Sequence, residues 1–208
     1  MKKFIYISNF QNPERFEAGK YIPVDNEKLE YDKEVHYPII NVINAFAEQD
    51  EEVELITVIA DYDNSKVNYK TLISEVEELE KTKHIKVKKT ECSIPYDNGL
   101  DTQLEMFEKL IANMEDNDRL YCDITYGTKV MSQILTMSVN YGYRVNNNVT
   151  LGCIVYGEKE HNTGAQKIYD ITSLNYLDEI VRMMAENKVK EPLKRIRALL
   201  KWGDIDEN

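Results

Sequence analysis

Residues 53–60 read Val-Glu-Leu-Ile-Thr-Val-Ile-Ala. So nearly unbroken an apolar run, only eight residues long, suits a strand in a parallel sheet covered on both faces. Its surroundings fit that placement. Upstream, residues 36–49 put Ile39, Ile40, Ile43 and Phe46 on one helical face. Downstream, residues 66–82 repeat Leu72, Val76 and Leu79 with the same period. Farther out, Phe4–Ser8 predicts a short buried first strand, and the more polar residues 84–90 a strand nearer an edge. Residues 100–115 form an amphipathic helix through Leu104, Phe107, Leu110, Ile111 and Met114. A strand over 119–125 leads through a turn into a helix over 129–141. Strands at 149–156 and 167–172 flank a linker, 157–166, that holds Gly157, Asn162 and Gly164. That linker predicts a late hairpin, with an antiparallel pair at one edge of the sheet. Two helices, about 173–187 and 190–202, close the chain. The alternation predicts an α/β domain with a mainly parallel sheet, helices on both faces and a C-terminal helical extension.

The 208 residues suffice for one full core. No apolar run reaches the roughly 18–20 residues that span a bilayer, and the start, MKKFIYIS, lacks the long apolar stretch of a signal peptide. A cytoplasmic protein without membrane contact is expected. Cys92, Cys122 and Cys153 are an odd, widely spaced set, which argues for buried thiols over a disulfide framework. They form no zinc-ligand spacing with His36, His84 and His161, so no metal and no cofactor are expected. A net charge of −11 argues against general DNA or RNA binding. The charge is uneven, however. Residues 182–201 carry seven basic side chains against two acidic ones, a net +5, which leaves −16 for the rest. In that segment Leu193, Ile196, Leu199 and Leu200 make an apolar stripe, and Trp202 reads as a packing anchor. Its basic face is either a solvated surface or a contact for a partner.

The longest connection is residues 9–35. Segments of this length in compact domains are often functional. Asp25-Asn26, between YIPV and LEYD, predicts a projecting hairpin, which would be a plain insertion or a lid over a neighbouring site.

In open parallel sheets, ligands bind outside the carboxyl ends of the strands, where the strand order reverses. The residues just past the predicted strands are Ser8 and Asn9, Asp61 and Tyr62, Cys92 and Ser93, and Thr125, Tyr126, Gly127, Thr128 and Lys129. The last group lies in DITYGTKVMS, residues 123–132. Gly127 permits a tight turn and Thr128 can cap the following helix. That helix start would aim free N–H groups and its positive end at an anion. Lys129 adds a full charge there. Ordinary helix capping accounts for the same residues. No G-x-x-x-x-G-K-[ST] or G-x-G-x-x-G loop is present, which argues against an ATPase, a GTPase or a dehydrogenase.

The segment Asp123-Ile-Thr-Tyr-Gly-Thr-Lys-Val-Met-Ser132 resembles the ligand loop of CARF domains, the CRISPR-associated Rossmann-like sensors, in which a strand ends in a Gly-Thr-Lys-x-Met type of turn. The strand ending at Ser8-Asn9 fits their other ligand loop, and the element order fits as far as residue 172. The resemblance thus implies a CARF-like ligand-binding domain over 1–172, with 173–208 as a helical extension. It implies a homodimer that holds a cyclic oligoadenylate, a tetra- or hexa-adenylate ring, across its two-fold axis in type III CRISPR antiviral signalling. Ser8, Asn9, Asp61, Tyr62, Ser93 and Thr125 to Lys129 would bind it. No effector signature follows. There is no R-x₄₋₆-H pair, and Glu186-Asn-Lys188 lacks the strand context of a restriction-type nuclease. Three readings stay open. The chain is a sensor that signals to an effector protein through its C-terminal helices; or it is a metal-independent ring nuclease with Ser8 and Lys129 as catalytic pair; or it is an unrelated flavodoxin-like nucleotide binder.

Overall fold

The computed structural model describes residues 1–160 and 162–202, with side chains described as far as residue 198. His161 and the side chains of Leu199, Leu200 and Trp202 therefore lie outside the described residues. Two units are distinguished, Met1–Ile171 and Thr172–Asn208.

The first unit is the expected α/β domain. Its strands are β1 (Lys2–Ile7), β2 (Tyr21–Pro23), β3 (Glu52–Ala60), β4 (Lys86–Ile94), β5 (Arg119–Asp123), β6 (Thr150–Lys159) and β7 (Gln166–Asp170). They form one sheet in the order β2-β7-β6-β5-β1-β3-β4. Strands β6, β5, β1, β3 and β4 run parallel, while β7 pairs antiparallel with β6. The helices are α1 (Pro38–Phe46), α2 (Asp63–Lys83), α3 (Leu100–Ile111) and α4 (Lys129–Val145).

The period-two alternation of each strand divides its side chains between two cores. Phe4, Tyr6, Val53, Leu55 and Tyr121 join Ile39, Ile43, Leu72 and Val76 of α1 and α2. Ile5, Ile7, Ile56, Val58 and Cys122 join Met106, Leu110, Leu135 and Val139 of α3 and α4. All three cysteines are buried, and none is in a disulfide. Burial pushes the Cys92 and Cys122 thiols above their ordinary values, so neither offers a reactive thiolate.

The strand run 53–60 is buried throughout, including Glu54. Burial alone would raise that carboxyl. Hydrogen bonds from Lys88 and Thr90, with Lys3 beside it, outweigh burial and hold it below the usual carboxylate range. Lys3 in turn meets Asp118 at 3.0 Å. This charged cluster ties the amino ends of the strands together, opposite the edge where a ligand is expected.

Three expectations are corrected. The segment 9–35 does not form a projecting hairpin. Tyr21–Pro23 pairs in parallel with β7 as the outermost strand, and LEYD forms no strand. Phe16, Tyr21, Leu29, Tyr31 and Val35 pack into the α1/α2 core, because a segment with five apolar anchors gains more by burial than by projecting. As a result the late hairpin is not the edge of the sheet; β2 covers it. Lastly, β4 is the edge strand expected but runs on to Ile94, since Cys92 and Ile94 have a core to face.

In the second unit, α5 (Thr172–Glu186) and α6 (Pro192–Trp202) follow each other across a short break. Lys194, Arg195 and Arg197 are exposed. No described helix is long and apolar enough to cross a membrane.

Candidate functional site

Chain order and sheet order together locate the reversal. From β1 the sheet is built outward through β3 to β4. The chain then returns to lay β5 on the other side of β1, with Tyr6 beside Asp123. The crevice therefore opens between the exits of β1 and β5, which are Ser8-Asn9 and Ile124–Lys129.

At the β5 exit the turn has the expected form. Gly127 has φ +94°, and a Cβ there would fall 2.7 Å from Ile7 Cγ2, so only glycine fits. Thr128 caps α4, its hydroxyl accepting from the Met131 amide at 3.2 Å. The same hydroxyl meets Asn98 Oδ1 at 3.0 Å. Lys129 is exposed and has no ion pair among the described residues. A free ammonium beside a helix start that carries no acidic residue in its first turn is an arrangement that favours an anion.

Behind the turn sits a buried carboxylate. Asp123 Oδ1 accepts from the Thr125 amide at 2.8 Å and from the Thr125 hydroxyl. Asp123 Oδ2 is buried without a hydrogen-bond partner. Burial raises this carboxyl to about 6, and the Thr125 bonds oppose the rise only in part. Tyr126 packs edge-on against Phe16, Tyr37 and Tyr6, and its hydroxyl donates to the His36 carbonyl. Burial holds the Tyr126 and Tyr21 phenols far above their ordinary values, so both stay neutral.

The β1 exit plays a different part. Ser8 is fully buried, and its hydroxyl donates to the Ser65 carbonyl in α2 at 2.6 Å. Asn9 is also buried. Asn68 of α2 donates to the carbonyls of Asn9 and Gln11, and Asn64 to that of Phe10. These four bonds clamp the β1 exit onto α2, so Ser8 presents no surface to a ligand in this conformation.

Asp61 is exposed and paired with Lys66 at 2.5 Å, which lowers its carboxyl. Ser93 is exposed but lies inside β4, which moves the true strand exit to Pro95-Tyr96. There the structure adds a feature. Tyr96 and Tyr62 stack with centroids 4.5 Å apart and planes 19° apart, and Phe10 meets both edge-on. The tyrosines are 51% and 36% exposed, so the stack is a surface platform at the exits of β1, β3 and β4. Tyr62 is among the expected residues; Tyr96 and Phe10 are not. The signal available for them was three aromatics, each two or three residues past an apolar strand.

On the other side of the turn lies a cavity of about 520 Å³. Thr125 and Tyr126 form its floor; Arg15, Phe16, Glu17 and Tyr21 of the 9–35 segment form one wall. Tyr156 to Glu160, Gly164 and Gln166 of the β6/β7 hairpin form the other. Among the described residues no group of His, Cys, Asp and Glu could hold a metal ion.

The carboxyl edge thus carries a turn whose charge and free N–H groups suit an anion, with an aromatic platform on one side and a cavity on the other. Such an edge can hold a phosphate flanked by flat rings. No protein-family model matches this chain, and no curated protein matches it either.

Proposed function

We propose that this protein is a sensor of the CARF type, which binds a cyclic oligoadenylate at the carboxyl edge of its sheet in type III CRISPR antiviral signalling. The observation that carries the reading is the exposed, unpaired Lys129 at the capped start of α4, placed at the reversal of strand order. The DITYGTKVMS sequence and the aromatic platform beside it support a nucleotide over a bare phosphate. Its overall acidity is no obstacle, because a few donors focused on one crevice suffice for a small polyanion.

A ring with internal symmetry suits a two-fold assembly in which each subunit offers the same turn. α4, which begins at Lys129, also carries exposed Met137, Tyr141 and Val145, beside exposed Leu100 and Leu104 of α3. A second copy seated on that apolar strip would bring two such turns into one assembly. The exposed basic side chains of α6 would then face an effector protein, in the cytoplasm.

A ring nuclease acting through Ser8 and Lys129 is the second reading. The buried Ser8 hydroxyl, already bonded to Ser65, favours binding over cleavage. The two are separated by incubating excess protein with cyclic tetra- and hexa-adenylate in EDTA, then resolving the nucleotides by chromatography. The expected result is intact ring retained at one per two chains. Linear product with a 2′,3′-cyclic phosphate would establish the nuclease. No retention of either ring would leave the unrelated nucleotide binder.

A further inference from the structure

By the helical period, α5 is apolar over half its circumference. Leu177, Ile180 and Met184 form the middle of that arc and are half-buried. Leu174 and Val181 on one flank, and Tyr176 and Met183 on the other, are exposed. α6 meets α5, yet its own Leu193 is exposed as well. A pair of helices cannot close so wide an apolar arc by itself, so the α5/α6 hairpin requires a further surface.

A surface of the same kind lies on the α3/α4 layer. Leu100 and Leu104 are exposed on α3, and Met137, Tyr141 and Val145, spaced four apart, are exposed along one side of α4. Phe107 and Tyr141 meet edge-on with centroids 5.8 Å apart, which joins the two rows into one strip. The rims of the two surfaces are opposite in charge. Asp101 and Glu108 flank Leu100 and Leu104 on α3, exposed and without an ion pair among the described residues. Arg195 and Arg197 flank Leu193 and Ile196 on α6, likewise exposed and without an ion pair among the described residues.

Those charges select the occupant of the strip. Strip on strip would set acid against acid, and hairpin on hairpin base against base. Strip on hairpin pairs them, and this chain carries both surfaces. Exchanged between two copies, the contact is made twice about one two-fold axis and leaves none of the four surfaces bare.

We infer that the α5/α6 hairpin of one copy docks on the α3/α4 strip of a second copy, and the reverse, so that the helical extension clasps a homodimer. This rests on the two-fold assembly of the sensor reading and names what covers its apolar strip. Lys194, on the opposite side of α6 from Ile196, is left outward for an effector.

The test uses charge reversal on the full chain, read by light scattering. The natural chain is expected at twice 24.3 kDa. Asp101→Lys with Glu108→Lys makes both rims basic, and Arg195→Glu with Arg197→Glu makes both acidic. Each variant alone is expected to dissociate at least tenfold more readily. An equimolar mixture is expected to restore the dimer, since basic hairpin then meets acidic strip and acidic hairpin meets basic strip. All four positions are exposed, and unchanged circular dichroism checks the fold. The single changes Glu108→Lys and Arg197→Glu replace a double change that fails that check. A monomeric natural chain, a variant that dimerises as the natural chain does, or a mixture that stays dissociated would overturn the inference. If one cyclic tetra-adenylate is still held per two chains in that event, the sensor reading stands without it. Rescue in the mixture, with no ring bound by the natural chain, would uphold the clasp and remove the sensor reading.

Discussion

The Gly157 backbone N–H donates to the Thr125 hydroxyl at 2.7 Å. The Thr125 hydroxyl in turn donates a hydrogen bond to Asp123, so one hydroxyl fastens the end of β6 to the turn after β5. Gly157 is packed too closely for a side chain, since a Cβ would lie 2.6 Å from Pro38 Cγ. Thr125→Val keeps the shape and removes both bonds. It should destabilise the protein by about 1–3 kcal/mol, the range for stranding buried polar groups. Thr125→Ser should cost well under half of that. Urea unfolding of the two variants checks the difference.

Asp123 makes stability depend on pH in a definite direction. Its carboxyl is raised to about 6 in the folded chain, against an ordinary 3.8. Below the ordinary value both folded and unfolded states hold the proton, and the contribution to stability is fully present. As pH rises to about 6 it is lost, by roughly 3 kcal/mol for a difference of that size. Asp123→Asn should therefore be more stable than the natural chain at pH 7, with the gap closing toward pH 4. Melting temperatures of both proteins across that range provide the measurement.

Lys129→Ala should weaken cyclic oligoadenylate binding by about 1.5–3 kcal/mol, as for loss of a charge-assisted contact. Because Lys129 is exposed and unpaired among the described residues, the melting temperature should hardly move. Calorimetric affinity unchanged in the variant would take the turn out of the site.

The Tyr62–Tyr96 platform predicts a separate effect. Tyr96→Ala should cost about 1–3 kcal/mol in binding if a base stacks on it. Tyr96→Phe should bind almost as the natural chain does, because the ring is kept. Equal affinities for all three by the same calorimetry would make the stack a means of closing the loop ends.

Ser8→Ala should act on the fold rather than on the ligand. Its hydroxyl bond to Ser65 is buried, so its removal should destabilise by about 1 kcal/mol with ring affinity preserved. Thermal unfolding and a binding isotherm on one preparation read both.

The elements with strong periodicity were legible in the sequence. VELITVIA reads as a doubly covered strand and is one, and the Thr128 cap and Gly127 turn follow from residue type. Short-range signals failed where distant partners decide. β2 has three residues and a proline, and it exists because β7 offers a free edge. Ser93 was misplaced because the alternation of Cys92 and Ile94 against α3 prolongs β4 past its polar stretch. Ser8 sits where a ligand contact was expected, yet the demands of the Ser65 carbonyl claim its hydroxyl. The cavity was invisible, because its two walls are more than a hundred residues apart in the chain.

The margins of the sheet bear on how this protein can associate. One outer strand, β2, is three residues long and ends in Pro23, which has no N–H to offer. The other, β4, carries Lys86, Lys88 and Lys89 along its length. Both are poor templates for a further strand, by brevity in one case and by charge in the other. Extension of the sheet from one molecule into the next, the route to fibrous aggregates, is thereby discouraged at each end, and self-association is left to helical surfaces, where it can close after two copies.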